Sequence, residues 1–483
     1  MHLARIEAQA NTQSRPHRRA VRALAQALRS SFRFGLPAAV IASLLGCGNT
    51  YRPVVSAISP VGPATQPQKF AVAISTTGAT TPGLVTFVDF SGDTTLVTSQ
   101  IGVNPYYLIL NTGGTTGFTL NSDHTLTTFA ISAALLQSQI LQTTLLPDAN
   151  PASVFPEGAN TYVSDPGLQA VSQFTGQPLV LQQNFGIDPT FTPVYVAGIT
   201  SAPRVYAISQ RNGGGLGQVS TIETASNTLD PAPIPVGANP VYGVMTADSR
   251  RAFIINQADG TVSVINAQTN QLDTVPIGAT NPITVGTSPL WADFAPTRNE
   301  MVVSNAGNGV NPGSLSIISI PLCTATALPN NPNCDPNNPV DAIGFGTVLA
   351  TVPTGINSIM VAALQDGTRA YVANQGDLSL PCALPPAVPG VSTVCSVSVI
   401  NLTTNTLIQT LYSLPDSKCS AANAPTLCGH PAYIAATTGT PTGKVYVVSK
   451  DSQFMSVIRT DIDTVDTTVP LLGTGISVRV TQP

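Results

Sequence analysis

Two histidines, three glutamates and one run of alternating aspartates hold most of the acid–base chemistry beyond residue 46. The histidines are His124 and His430; the glutamates are Glu157, Glu223 and Glu300. A hydrolytic nucleophile needs a base within hydrogen-bond reach, and neither histidine stands in a GxSxG or HExxH setting. RNGGGLG, Arg211–Gly217, has the glycines of a phosphate loop, but strand-like sequence follows where a helix would be required. It is expected to be a loose hairpin. DIDTVD, Asp461–Asp466, sets three carboxylates at alternating positions, an arrangement that could suggest calcium. Its place in a turn between two strands makes a solvated corner the expected outcome. His430 directly precedes Pro431 at the start of a strand and is the one candidate binding-face residue. No catalytic residue, no metal ligand and no cofactor is expected.

Seven cysteines occur. With Cys47 set aside, six remain as three close pairs: Cys323 and Cys334, Cys382 and Cys395, Cys419 and Cys428. In an exported chain an even set reads as disulfides, and proximity favours these pairings among the 15 that six cysteines allow. Each bridge would close a loop of roughly ten residues, worth about 2–3 kcal/mol in the chain-entropy model. A metal site is the rival reading. It lacks any CxxC, and CxxCH, the haem-attachment signature, is also missing.

The first 46 residues differ from the rest. They carry Arg5, Arg15, Arg18, Arg19, Arg22, Arg29 and Arg33 against one acid, Glu7, and end in the apolar run FGLPAAVIASLLG before Cys47. A basic stretch followed by a short apolar run is the layout of an export signal, too short to span a bilayer comfortably. Leu44-Leu45-Gly46-Cys47 resembles a bacterial lipobox, which implies lipidation at Cys47; an ordinary secretory signal with a chance cysteine is the alternative. Residues 1–46 are therefore expected to be a signal peptide, 47–68 a lipid-anchored tether and 69–483 the folded domain. Of 20 basic and 24 acidic residues, 13 and 23 remain beyond the leader, a net charge near −10. That field disfavours polyanions, so no nucleic-acid partner is expected. The membrane is met through the lipid anchor alone. In a Gram-negative cell, Gly48 in place of an inner-membrane-retaining Asp would favour the outer membrane.

Self-similarity organises the remainder. The clearest unit reads NPVYGVMTAD from Asn239, RAFIIN from Arg251, GTVSVIN from Gly260 and QLDTVPIG from Gln271. Each piece is a short run of Val, Ile, Tyr, Phe and Thr with period-two alternation, which is strand chemistry. The turn INAQTNQL from Ile265 recurs as INLTTNTL from Ile400, IETASNTL from Ile222 and IRTDIDTV from Ile458. Asn and Asp tolerate the left-handed conformation, so Asn227, Asn270, Asn405 and Asp463 are expected at one equivalent corner. Eight units emerge, with second strands near Phe70, Phe118, Tyr162, Tyr206, Phe253, Val302, Tyr371 and Tyr446.

Four strands per unit at about 45 residues predicts an all-β propeller of four-stranded antiparallel blades, eight in number with seven as the alternative. GISVRVTQP at the C-terminus has no unit of its own. Ile476–Val480 is expected to supply the innermost strand of the first blade and close the ring; RPVVSAIS from Arg52 is the competing occupant. RAYVANQ from Arg369, TVSVIN and the P-I-G ending resemble the YVTN-type β-propeller repeat of exported microbial proteins, over roughly residues 69–480. The resemblance implies a propeller and leaves the ligand open, because the repeat serves varied roles.

Three insertions interrupt the repeat: Pro321–Gly346, Gly376–Cys395 and Pro415–Gly429. They contain all six paired cysteines. Strands alternate direction, so the second and third insertions should share one face of the ring and the first should lie opposite. Stapled loops on a rigid scaffold are suited to recognition; tolerated drift is the alternative. The expected function is a non-enzymatic binding or scaffold module of the cell envelope, its partner an unknown protein or glycan at the cell surface. A lactonase-like or dehydrogenase-like enzyme, which would need several charged side chains converging on the central channel, and a structural envelope component are the alternatives.

Overall fold

Short runs of β-branched and aromatic residues pair locally when a tight turn joins them, and a sheet apolar on both faces must be covered on both. In the computed structural model this yields eight antiparallel sheets set around one axis. The structure describes residues 69–199, 202–273, 280–321, 344–419, 426–437 and 443–481, with 334–335 and 338–342 by backbone alone. Cys47, the leader, the tether and the pairing of Cys323 with Cys334 lie outside the described residues.

Each blade runs outward in chain order from an innermost strand. For blades 2 to 8 these strands are Pro105–Leu110, Ser153–Glu157, Phe191–Ala197, Pro240–Met245, Pro289–Ala295, Ser358–Ala363 and Pro431–Thr437. Blade 1 takes its innermost strand from the other end of the chain. Thr474–Val480 pairs antiparallel with Phe70–Thr76, from Ala71 opposite Val480 to Thr76 opposite Thr474. The Phe70 N–H donates to Thr481 Oγ1 at 2.9 Å, and the Thr481 N–H donates back to the Phe70 carbonyl at 3.0 Å. The expected closure therefore holds, and the slot leaves no room for RPVVSAIS.

The count of eight also holds, with local departures. In blades 4 and 5 the outer strand is split, into Thr228–Leu229 with Ile234–Ala238 and Gln271–Leu272 with Ile283–Thr284. Blade 7 gains a short parallel strand, Leu427–Cys428, beside Thr406–Leu414. Asn338-Pro339 begins the strand Asn338–Ala342 paired with Cys334–Asp335; proline's fixed φ is compatible with an isolated edge strand.

The core lies between blades. Eight apolar clusters each draw on two neighbouring sheets, for example Tyr371 and Val397 with Ile434 and Val447, or Ala71 and Val88 with Tyr446 and Val457. Polar joints set the spacing. In blades 2, 5, 6 and 7 the second strand ends in a buried asparagine: Asn121, Asn256, Asn305 and Asn374. Its amide donates across the sheet to a pair of hydroxyls, Thr125 and Thr127, Thr261 and Ser263, Ser314 and Ser316, or Ser396 and Ser398, at 2.9–3.1 Å. The glycine that ends the preceding unit packs on this asparagine. A Cβ at Gly355 would lie 2.7 Å from Asn374, and one at Gly237 would lie 2.6 Å from Asn256.

The repeated corner turns as expected: Asn227, Asn270, Asn405 and Asp463 have φ of 53°, 57°, 55° and 54°, and Asp93 in blade 1 joins them at 52°. The corner also reaches the preceding blade. Tyr371 donates to Asp463 at 2.6 Å beside Arg369 at 3.1 Å, and Lys444 of blade 8 holds Asp93 of blade 1 at 2.5 Å. Asp461 and Asp466 are exposed as expected, but Asp463 is buried. The solvated-corner reading of DIDTVD is corrected there, because the left-handed turn aims that carboxylate into the joint.

Asn374→Ala should lower unfolding free energy by about 2–3 kcal/mol, since it takes the amide donor from the buried hydroxyls of Ser396 and Ser398 and the acceptor from Ser358. A urea midpoint unchanged from wild type would contradict the load assigned to this residue.

Candidate functional site

Two places bring chemically capable side chains together: the face carrying the stapled loops, and the axis. On the loop face, His430 precedes Pro431 as Asn104, Asn239 and Ser288 precede the first prolines of blades 2, 5 and 6. Its backbone N–H donates to Asp451 Oδ1 at 2.6 Å, and its Nδ1 lies 2.8 Å from Asp451 Oδ2. Nε2 faces two carbonyls of the Gly376–Cys395 insertion, Leu380 at 3.0 Å and Asp377 at 3.2 Å. All these partners are acceptors, so the geometry suits an imidazole protonated on both nitrogens. Burial pulls the His430 pKa down, but the Asp451 carboxylate and the two carbonyls outweigh it and hold it above the ordinary histidine value. Partial desolvation pushes the Asp451 pKa up, but its contacts with His430 outweigh that and hold it below the usual carboxylate range. The histidine is 4% exposed, so it supports the loop face from beneath.

Cys382–Cys395 and Cys419–Cys428 are disulfides, with Cα separations of 5.4 and 6.1 Å. The sulfurs of Cys382 and Cys395 and a ring nitrogen of His430 lie within 4.8 Å of one another. That spacing resembles a metal site, but both sulfurs are consumed in the bridge and neither is a thiolate ligand. The two stapled loops share a face, as alternation of strand direction requires. The second is pinned to blade 8 by Asp416, which accepts from Ser452 Oγ at 2.6 Å. Loop Gly376–Cys395 carries four exposed apolar side chains: Leu378 (51%), Leu384 (54%), Val388 (55%) and Val391 (62%).

The other candidates are structural. His124 takes φ of 57° in a hairpin and meets the Ala149 carbonyl through Nδ1 at 2.9 Å. Glu223 and Glu300 pair with Arg204 and Arg298, each at 2.9 Å. Arg211–Gly217 is a hairpin, with Gly213, Gly214 and Gly215 all at positive φ.

Along the axis, the innermost strands of blades 2, 4, 5, 6 and 8 share a register shift just after a proline. The residue just past it is Tyr107, Tyr195, Tyr242, Trp291 and Tyr433 in blades 2, 4, 5, 6 and 8. These side chains form an aromatic collar. Tyr242 and Trp291 stack at 3.9 Å between centroids, and Tyr195 meets Tyr242 at 4.9 Å. Two residues further along the strand come Asp293 and, on the closing strand, Arg479. The guanidinium sits 5.6 Å from the Trp291 ring and 5.9 Å from Tyr433. Asp293 accepts the N–H groups of Ala363 and Phe294, both at 2.8 Å. Burial nevertheless pushes its pKa up to about 6, against the pull of those amides and Arg479. The eight innermost strands carry three charged residues, Arg479, Asp293 and Glu157. The collar was missed as a group by sequence reasoning. The signal was an aromatic two positions after a proline, present in five of the eight units.

No family model and no curated protein matches the sequence. Among solved structures, the chain is similar to dihydro-heme d1 dehydrogenase NirN in complex with DHE (TM-score 0.55, 10% identity, covering 85% of this chain and 74% of that one). It is also similar to AztD of Citrobacter koseri (TM-score 0.53, 11% identity, covering 85% and 97%). At these identities the likeness concerns the fold, and the fold is an eight-bladed β-propeller.

With a folded pKa above about 6.5, protonated His430 contributes stability that is fully present below that value and is lost as pH rises through the folded one. Amide exchange in residues 376–395, corrected for intrinsic rate, should therefore accelerate severalfold between pH 6 and 8. His430→Gln should flatten that dependence; an identical profile in the variant would refute the clamp.

Proposed function

We propose that this chain is an exported, lipid-anchored β-propeller of the YVTN-repeat type that binds a protein partner and performs no catalysis. The observation that carries this reading is the stapled loop Gly376–Cys395, held from beneath by His430 and presenting Leu378, Leu384, Val388 and Val391 to solvent. Exposed aliphatic side chains on a flexible loop would collapse or be cut. On a bridged and clamped loop they stay presented, and the entropy lost on binding is small.

Topology supports the placement. The chain enters the propeller at Lys69, where the second strand of blade 1 begins, on the face of the corners and not of the stapled loops. The axial strands support the non-enzymatic part of the reading, because they are mainly aromatic and aliphatic and carry Arg479, Asp293 and Glu157 as their charged residues. An outer-membrane address in a Gram-negative cell follows from the same leader reading as the anchor.

A photo-crosslinker at Val391 in native cells should give one discrete adduct, at least about tenfold weaker when Leu384 and Val388 are both changed to Asp. A crosslinker at Val310, 77% exposed in another blade, should give none. Equal labelling at both positions, or none at Val391, would overturn the loop-face assignment. Radiolabelled palmitate should enter the wild type and not Cys47→Ala; label retained in the variant would refute the anchor.

A further inference from the structure

Arg479, on an innermost strand, differs from the arginines of the second strands and their turns. Arg204, Arg251, Arg298 and Arg369 each pair with a carboxylate at 2.6–3.1 Å, on Glu223, Asp273, Glu300 and Asp463 respectively. Among the described residues, Arg479 makes no ion pair. Its one hydrogen bond runs from Nη1 to the neighbouring Val478 carbonyl at 3.2 Å. A guanidinium has five N–H donors in a planar fork, and with one acceptor from the protein most of that fork is left available to a ligand. The rings of Trp291 and Tyr433 compensate part of the charge through their faces. They satisfy no donor, because an aromatic face is a weak acceptor at best.

The surroundings specify what would complete the site. Arg479 is half-buried and lies one layer beyond the aromatic collar, counted from the loop face. The hydroxyl of Tyr195 interacts with those of Tyr107 and Tyr242, and all three phenols feel the Arg479 charge. Burial raises all three pKa values, so they stay protonated and remain hydrogen-bond donors. A molecule entering along the axis would pass flat rings first and meet a planar cationic fork at the end. An anion alone would use the fork and ignore the rings; a neutral ring would do the reverse.

We infer that Arg479 and the collar of Tyr107, Tyr195, Tyr242, Trp291 and Tyr433 form an axial binding site for a small aromatic carboxylate. The carboxylate meets the guanidinium and the ring lies among the aromatic walls. This site is independent of the stapled-loop face and does not rest on the partner proposed there.

Trp291 is the single tryptophan of the chain, so intrinsic fluorescence reports on this site alone. Benzoate titrated into the full chain should change Trp291 emission saturably. Acetate, inorganic phosphate and benzamide should each bind at least about tenfold more weakly, since each lacks the ring or the charge. Arg479→Gln should weaken benzoate by about 10- to 100-fold. Arg479→Lys should recover part of the affinity, and Arg459→Gln, on the exposed rim, should match wild type. Because Arg479 lies on the closing strand, circular dichroism and the urea midpoint must show each variant folded; Arg479→Lys serves as the readout if Arg479→Gln is not. Three results would overturn the site: no saturable response up to about 10 mM, an equal response in folded Arg479→Gln or equal binding in Arg479→Lys, or acetate and phosphate binding as well as benzoate.

Discussion

One strand pairing makes this molecule a ring: Thr474–Val480 against Phe70–Thr76. Without it, blade 1 would lack its innermost strand, and the outer faces of blades 1 and 8 would have no cover. The cluster across that joint includes Val88, Tyr446, Val448, Met455, Val457, Val469, Leu471 and Val478, all buried. Burying side chains of this size stabilises by roughly 1.5 kcal/mol or more each. Joining segments some 400 residues apart costs only about 5 kcal/mol in loop entropy, because that cost grows with the logarithm of length. Burial wins by a factor of two or more, so the closed ring is the stable form. The faces and layers discussed above exist only because of it.

Apolar burial alone would let neighbouring blades slide, since it has no direction. The buried asparagines supply the direction. Each fixes its own sheet through two hydroxyls and also meets the glycine of the blade before it, so that a methyl group at Gly355 or Gly237 would collide. The corner residues do the same from the opposite face, where Asp463 and Asp93 are gripped by side chains of blades 7 and 8. A unit with an Asn at the end of its second strand, a Gly before its first and an Asn or Asp at its corner is therefore specified by contacts to its neighbours. This is the physical content of the repeated phrase, and a reason such sequences diverge at most other positions without losing the fold.

The features legible in the sequence were the ones that depend on local chemistry. Short runs of β-branched and aromatic residues placed every second strand, because a strand covered on both faces selects them. Asn227, Asn270, Asn405 and Asp463 were placed at one corner because few residues accept positive φ. The C-terminal strand was legible as a strand left without a unit. The features that escaped depend on what stands across a joint. Asp463 looked solvated beside Asp461 and Asp466, and nothing in DIDTVD states that Arg369 and Tyr371 reach it from 92 or more residues away. His430 could be placed on the loop face by topology, but its burial under the Leu380 and Asp377 carbonyls could not. The collar was hidden for the same reason: its successive members are about 45–140 residues apart and meet only after closure.

The axis and the closure are one piece of physics. Arg479 belongs to the strand that seals the ring, while Trp291 belongs to blade 6 and Tyr433 to blade 8. The cation therefore already spans three blades through weak, non-directional contacts. An anion held by the guanidinium among those rings would add directed contacts between the closing strand and blades that do not adjoin it. Since a ligand that binds the folded ring and not the open chain stabilises it by mass action, occupancy of the axis and integrity of the closure must be coupled. A stapled loop can be remodelled without touching that coupling, because its clamp at His430 and Asp451 lies at the rim. The propeller thus separates a variable outer face, built from insertions, from an inner wall whose side chains also serve to hold the ring shut.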